Sequence, residues 1–160
     1  MVMPLLTRID HVGIACRDLD AAIGLYQATF GLEVVSLEMN EEQGVREAML
    51  AVGGARLAVG GARPAAAEAG APRPGYVQLL EPLGPDTPVG RFLARRGEGL
   101  HHIGYGVDDI AAALAEIGGR GVRLLDQRPR HGSMGASIAF LHPADLGGVL
   151  TELVQAAGPA

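Results

Sequence analysis

The chain has 160 residues and a mass of 16.5 kDa, enough for about one domain, and its net charge of −5 excludes a general nucleic-acid binder, which needs a basic face. A lone cysteine, Cys16, excludes an internal disulfide framework and a cysteine-only zinc site. No apolar run approaches the ~20 residues of a membrane span, and Met1–Thr7 lacks the pattern of a signal peptide, so a cytoplasmic protein without membrane or nucleic-acid partners is expected.

The first element is an alternating strand over residues 8–16. Asp18 is placed to cap a following helix, because its carboxylate can accept a free first-turn N–H. Leu19, Ile23, Tyr26 and Phe30 recur at spacings of three and four, an apolar helical stripe. Gly31 then ends the helix in the left-handed conformation. Strands are expected at about 32–39, 44–52 and 75–81. The stretch 53–75 is rich in Ala, Gly, Pro and Arg, and Ala51–Arg56 is duplicated locally at Ala58–Arg63. Pro64 to Pro74 reads as a mobile surface loop, because such a composition supports no core. A proline-marked join over 83–98 carries a short helix around Val89–Arg95. Then come a strand at 99–107, a helix capped by Asp109 and ended at Gly121, and strands at about 122–126, 136–141 and 148–154.

The second set of elements repeats the first, a signature that decides the fold. Asp10-His11-Val12-Gly13-Ile14 aligns with His101-His102-Ile103-Gly104-Tyr105 at an offset of 91. The same offset pairs Gly44 with Gly135, Ala48 with Ala139 and Leu50 with Leu141. Each copy reads βαβββ, and one helix leaves the other face of a four-stranded sheet uncovered. Two copies side by side can curve into a cup. The expectation is an α+β fold in a single domain over residues 1–160: module one about 8–82, linker 83–98, module two about 99–155.

Chemistry converges on the cup. His11 and His102 are equivalent in the repeat, so two-fold related strands would bring both inside as metal ligands, although a lone histidine is more often structural. Gly13 and Gly104 follow each at i+2 on the same strand face and leave room for a ligand. The pleat sends His101 to the opposite face, which argues against it as a co-ligand. Gln78 and Glu152 lie in the final strands among apolar neighbours. A carboxylate there is costly unless paired or metal-bound; a position on the sheet rim is the alternative. Glu47 has Ile138 as its repeat partner, so its carboxylate belongs to one copy only. That suggests chemistry, against an exposed edge-strand Glu paired with Arg. The loop Arg130–Gly135 could close over a substrate or hold a phosphate through its N–H groups, or be a plain hairpin connection. His142-Pro143 reads as a strand end, and Cys16 as inert core. The 13 basic residues are all Arg, so no lysine base or Schiff base is available.

These residues resemble the vicinal oxygen chelate superfamily (the glyoxalase/bleomycin resistance-like fold), and within it the methylmalonyl-CoA epimerase family. The resemblance runs from Ile9 to Val154. It is carried by Ile9-Asp10-His11-Val12, Glu42-Gln43-Gly44-Val45-Arg46-Glu47, Gln78-Leu79-Leu80-Glu81-Pro82, Gly97-Glu98-Gly99-Leu100-His101-His102, Phe140-Leu141-His142-Pro143 and Gly148-Val149-Leu150-Thr151-Glu152-Leu153. The chain departs at Ala144, where many relatives have Lys, and its 53–75 stretch is longer than usual. The resemblance implies His11, Gln78, His102 and Glu152 as ligands of a divalent metal, Co2+ or Mn2+, and Glu47 and Glu152 as the two acid/base carboxylates. The implied reaction removes and returns the proton between a thioester and a carboxylate, through an enolate whose charge the metal stabilises. The implied partners are an acyl-CoA substrate, with Arg95, Arg96, Arg128 and Arg130 as candidate contacts, and a second copy in a homodimer. Two alternatives stay open: another metalloenzyme of this architecture (a glyoxalase or extradiol dioxygenase), or a metal-free binding module.

Overall fold

β1 (Arg8–Ala15) and β5 (Gly99–Gly106) run antiparallel at the centre of one eight-stranded sheet. The computed structural model describes residues 4–53 and 73–158, so most of the segment read as a mobile loop lies outside the described residues. On one side of the centre lie β4 (Gly75–Pro82), β3 (Val45–Val52) and β2 (Glu33–Asn40). On the other lie β8 (Thr151–Gln155), β7 (Ser137–Leu141) and the two-residue β6 (Arg130–His131). β1 pairs parallel with β4, and β5 pairs parallel with β8. Each half is therefore the expected βαβββ unit, and the central antiparallel pair is the joint between them.

The helices start and stop where local chemistry dictates. α1 (Leu19–Phe30) opens with the Asp18 carboxylate accepting from Ala21 N and closes at Gly31, with φ 67°. α3 (Ile110–Gly119) opens identically, with Asp109 accepting from Ala112 N. Gly121 takes φ 91° one residue beyond the Arg120 cap. The linker carries α2 (Pro88–Arg96), capped by Thr87. Among the described residues no helix is long and apolar enough to cross a membrane.

Strand alternation separates core from cup. Ala48, Leu50 and Leu79 turn to one face and pack under Leu19, Ile23 and Tyr26 of α1. Ala139, Leu141 and Leu153 pack likewise under Ile110, Ala113 and Leu114 of α3. The intervening positions, Glu47, Gln78 and Glu152 among them, fall on the opposite face. α2 covers a third cluster through Val89 and Leu93, against Ala15, Val45 and Leu80.

Two strand expectations are corrected. Residues 122–126 form no strand; only Leu124 bridges to Leu141, and pairing resumes at β6. The Asp126 carboxylate accepts from Phe140 N, at 2.9 Å, and so takes a ladder position that a neighbouring backbone would fill. The last strand starts at Thr151 rather than 148, because Gly147 and Gly148 both hold positive φ, which keeps the chain out of extended geometry.

Cys16 sits in the α1 core with its Sγ 3.5 Å from the Leu80 carbonyl oxygen, and burial, reinforced by Glu81 and Glu98, pushes the thiol up to about 11. Alkylation of the native chain by iodoacetamide is expected to be slow at neutral pH and to accelerate only as pH rises toward that value. The unfolded chain should react as an ordinary thiol of pKa about 8.5. Mass spectrometry of the adduct over time reads both; equal rates at pH 7 would contradict this packing.

Candidate metal centre and active site

At the joint, His11 lies opposite Gly104 and Gly13 opposite His102. A Cβ on Gly13 would come 2.2 Å from His102 Cε1, and one on Gly104 the same distance from His11 Cε1. Each glycine therefore makes room for the facing imidazole, rather than directly for a ligand as the sequence reading had it. The two rings meet edge to face with their Nε2 atoms 3.0 Å apart. Glu152, which pairs with Gly104 as Gln78 pairs with Gly13, brings Oε1 to 3.5 Å from His11 Nε2 and Oε2 to 3.4 Å from His102 Nε2.

Hydrogen bonds fix which atoms face this point. Asp10 Oδ1 lies 2.9 Å from His11 Nδ1, and Arg8 holds the other oxygen of the same carboxylate. An ionised carboxylate only accepts, so His11 carries a proton on Nδ1, and in the neutral ring Nε2 is the acceptor atom that faces His102 and Glu152. Gln78 Nε2 donates to Glu47 Oε2 at 2.8 Å, and the Ser133 hydroxyl donates to Glu47 Oε1. Glu47 thereby sets the Gln78 amide with its nitrogen toward the acceptor. Gln78 Oε1 is then buried without a hydrogen-bond partner among the described residues.

These donors suit a metal. His11, His102 and Glu152 each offer a buried ligand atom, all mutually within 4.8 Å. Donors at the roughly 2.1 Å distance of a first-row metal sit about 3 Å apart across a right angle, close to the spacings found. Gln78 pairs with Gly13 in the same register, and its oxygen is left unpaired among the described residues. Electrostatics fit as well. Burial, with the Glu47 charge nearby and against the attraction of His11, pushes Glu152 up to about 7. Burial likewise raises Glu47, although the Ser133 and Gln78 bonds pull the other way. Burial lowers His102 well below the usual imidazole range, with His11 and His101 adding to it. For His11, burial works downward but the Asp10 bond and the Glu152 charge outweigh it, so its basicity rises. A dication would compensate the buried carboxylates directly.

The family model described as the glyoxalase/bleomycin resistance protein/dioxygenase superfamily matches residues 10–140. The chain belongs to this superfamily, in its methylmalonyl-CoA epimerase family. It is 51% identical to a structure of a Streptomyces coelicolor methylmalonyl-CoA epimerase variant in complex with 2-nitronate-propionyl-CoA, with a TM-score of 0.83, over 96% of this chain and 99% of that one. It is 33% identical to the ethylmalonyl-CoA/methylmalonyl-CoA epimerase of Cereibacter sphaeroides, over 94% of this chain and 99% of that protein. Against the mitochondrial methylmalonyl-CoA epimerase of Homo sapiens it is 34% identical, over 94% of this chain and 75% of that protein.

In this member of the family, His11, His102, Gln78, Glu152 and Glu47 are all buried on the cup face. Glu47 is not on an edge strand, because β2 flanks β3 on its outer side. A cavity of about 70 Å3 opens beside His11 and Glu152, lined also by Met49, Tyr76 and Ser133. A larger cleft of about 640 Å3, lined by Ile103, Tyr105 and Leu153, opens on the other sheet face and contains none of these residues. The 130–135 loop is a hairpin connection containing a 3-10 turn, and it delivers Ser133 to Glu47. Module one fastens it: Asn40 and Gln43 donate to the His131 carbonyl and Glu38 accepts from Met134 N. Arg130 pairs with Asp126 at 2.9 Å, whereas Arg95, Arg96 and Arg128 are exposed. Sequence reasoning missed Asp10 and Ser133. The only signals for them were Asp10's adjacency to His11 and the Gly-flanked loop.

Replacing Gly13 or Gly104 with Ala is expected to displace the facing imidazole and weaken Co2+ binding about tenfold or more, the scale of losing a ligand's orientation. Calorimetric titration of metal-free protein checks it. Unchanged affinity in both variants would mean that the rings need no such clearance.

Proposed function

We propose that this chain epimerises methylmalonyl-CoA at the carbon between thioester and carboxylate, using a divalent ion held by His11, Gln78, His102 and Glu152. The observation that carries this reading is a pair of buried carboxylates from the two modules: Glu152, inside the His11–His102 donor cluster, and Glu47, hydrogen-bonded to Gln78. Inversion requires a proton to leave one face and return to the other, hence two acid/base groups. The relatives' names and the acyl-CoA analogue bound to the Streptomyces coelicolor enzyme support the substrate class.

The roles follow from the environments. Ser133 and Gln78 hold the Glu47 carboxylate oriented, while burial raises its basicity toward what proton abstraction needs. Glu152, contributed by module two, is its counterpart for the second proton transfer. When bound, a divalent metal supplies Lewis-acid stabilisation for charge developing on the thioester oxygen. Imidazole, amide and carboxylate donors suit Co2+ or Mn2+. A fourth ligand from Gln78 argues against a dioxygenase, whose iron takes two His and one carboxylate.

The unit that performs this reaction is the whole chain as a single domain: modules at about 8–82 and 99–155 with linker 83–98 and one shared site, working as a cytoplasmic homodimer. Exposed Arg95, Arg96 and Arg128 are the remaining candidates for the CoA phosphates.

In D2O, the Co2+-loaded enzyme is expected to exchange the C2 proton of methylmalonyl-CoA, read by mass spectrometry. Glu47→Gln should slow exchange by roughly 10²- to 10⁴-fold, the usual contribution of a general base. Chelation should abolish it and Co2+ should restore it. A loaded wild type that exchanges no C2 proton overturns the reading, and oxygen uptake with catechols would replace it with the dioxygenase one.

A further inference from the structure

We propose that His101 is a positioning residue: its Nδ1 accepts the Nδ1 proton of His102 and so turns the His102 Nε2 lone pair toward the metal. The inference rests on the metal site proposed above and adds a residue to it.

The register of β1 against β5 slips twice. Ile9 pairs with Tyr105 and His11 with Gly104, which leaves Asp10 as an extra residue on β1. Gly13 pairs with His102 and Ile14 with Leu100, which leaves His101 as an extra residue on β5. The two bulged residues are equivalent under the repeat offset, since 101 − 10 = 91. A regular pleat puts neighbouring side chains on opposite faces, but a bulge re-aims them. Each bulged side chain reaches the Nδ1 of the histidine that follows it: Asp10 Oδ1 at 2.9 Å from His11, His101 Nδ1 at 2.8 Å from His102. His101 is not among the converging ligand residues, but at this bulge the pleat does not carry its ring away from His102.

Two ring nitrogens at that distance share one proton. If His102 gives its Nε2 to a metal, its Nδ1 carries the proton, and His101 Nδ1 must accept it. The His101 proton then lies on Nε2. Phe92 of α2 fixes the His101 ring edge-on, with centroids 4.9 Å apart at 79°. The repeat also explains why module two uses an imidazole rather than a carboxylate. Asp10 is neutralised by Arg8, but the equivalent of Arg8 is Gly99. A carboxylate at 101 would lack that cation beside a site already holding Glu47 and Glu152.

Metal-free full-length protein is titrated calorimetrically with Co2+, and the visible spectrum of the bound ion is recorded. His101→Phe keeps the ring shape, removes the acceptor, and should weaken binding roughly 10- to 100-fold with an altered spectrum. His101→Asn restores an acceptor at the Nδ1 position and should return affinity to within about threefold of wild type. A His101→Phe variant that matches wild type, or an Asn variant as weak as Phe, overturns the inference. Nitrogen-15 NMR of Zn2+-loaded wild type tests it without any variant: His101 should be protonated on Nε2, and a proton on its Nδ1 overturns it. Wild type that takes up no Co2+ overturns the metal site and this inference together. Wild type that binds while His101→Phe is unaffected overturns this one alone.

Discussion

Everything in the cup depends on two imidazoles and two glycines at one antiparallel crossing. His11 stacks over Gly104 and His102 over Gly13, and any side chain at either glycine would occupy the space of a ring. This exchange lets two modules that are each incomplete close on a shared point. Because β1 and β5 are parallel to β4 and β8, the crossing also fixes Gln78 beside Gly13 and Glu152 beside Gly104. Strand register thus puts His11, His102, Gln78 and Glu152 together on one sheet face.

The cost of this arrangement is electrostatic. Asp10, Glu47 and Glu152 are buried with His11 and His102, and buried charges are expensive unless paired and hydrogen-bonded. Arg8 offsets Asp10, and Ser133 and Gln78 serve Glu47. Among the described residues Glu152 pairs with the two imidazoles alone, and burial pushes this carboxylate up to about 7. A dication bound among these donors would compensate the carboxylate charge, and the unpaired Gln78 oxygen is a further acceptor on the same sheet face.

Symmetry builds the scaffold and its breaking builds the chemistry. Glu47 faces the cup where module two has Ile138, and the 130–135 loop of module two, lashed to β2 and its turn, brings Ser133 to that carboxylate. Asp10 and His101 break symmetry again, as charged and neutral partners of equivalent histidines. Each departure from the repeat adds a hydrogen bond that two identical modules would not make.

The sequence by itself determined the duplication, the element order and the helix caps at Asp18, Asp109 and Gly31, and it pointed to five of the buried polar residues: His11, Glu47, Gln78, His102 and Glu152. Those signals are local or periodic: a cap acts within one turn, a strand alternates every second residue, and an offset of 91 needs no coordinates. Tertiary structure decided the rest. It turned residues 122–126 into an irregular segment, because a carboxylate occupies the ladder position beside Phe140. It placed Asp10 and His101 against the metal-facing histidines, because a one-residue slip between β1 and β5 re-aims a side chain. It put Ser133 on Glu47 across 86 residues of chain. Strand register and loop docking are set by pairing between distant segments, and no local pattern around His101 or Ser133 encodes the partner strand's slip.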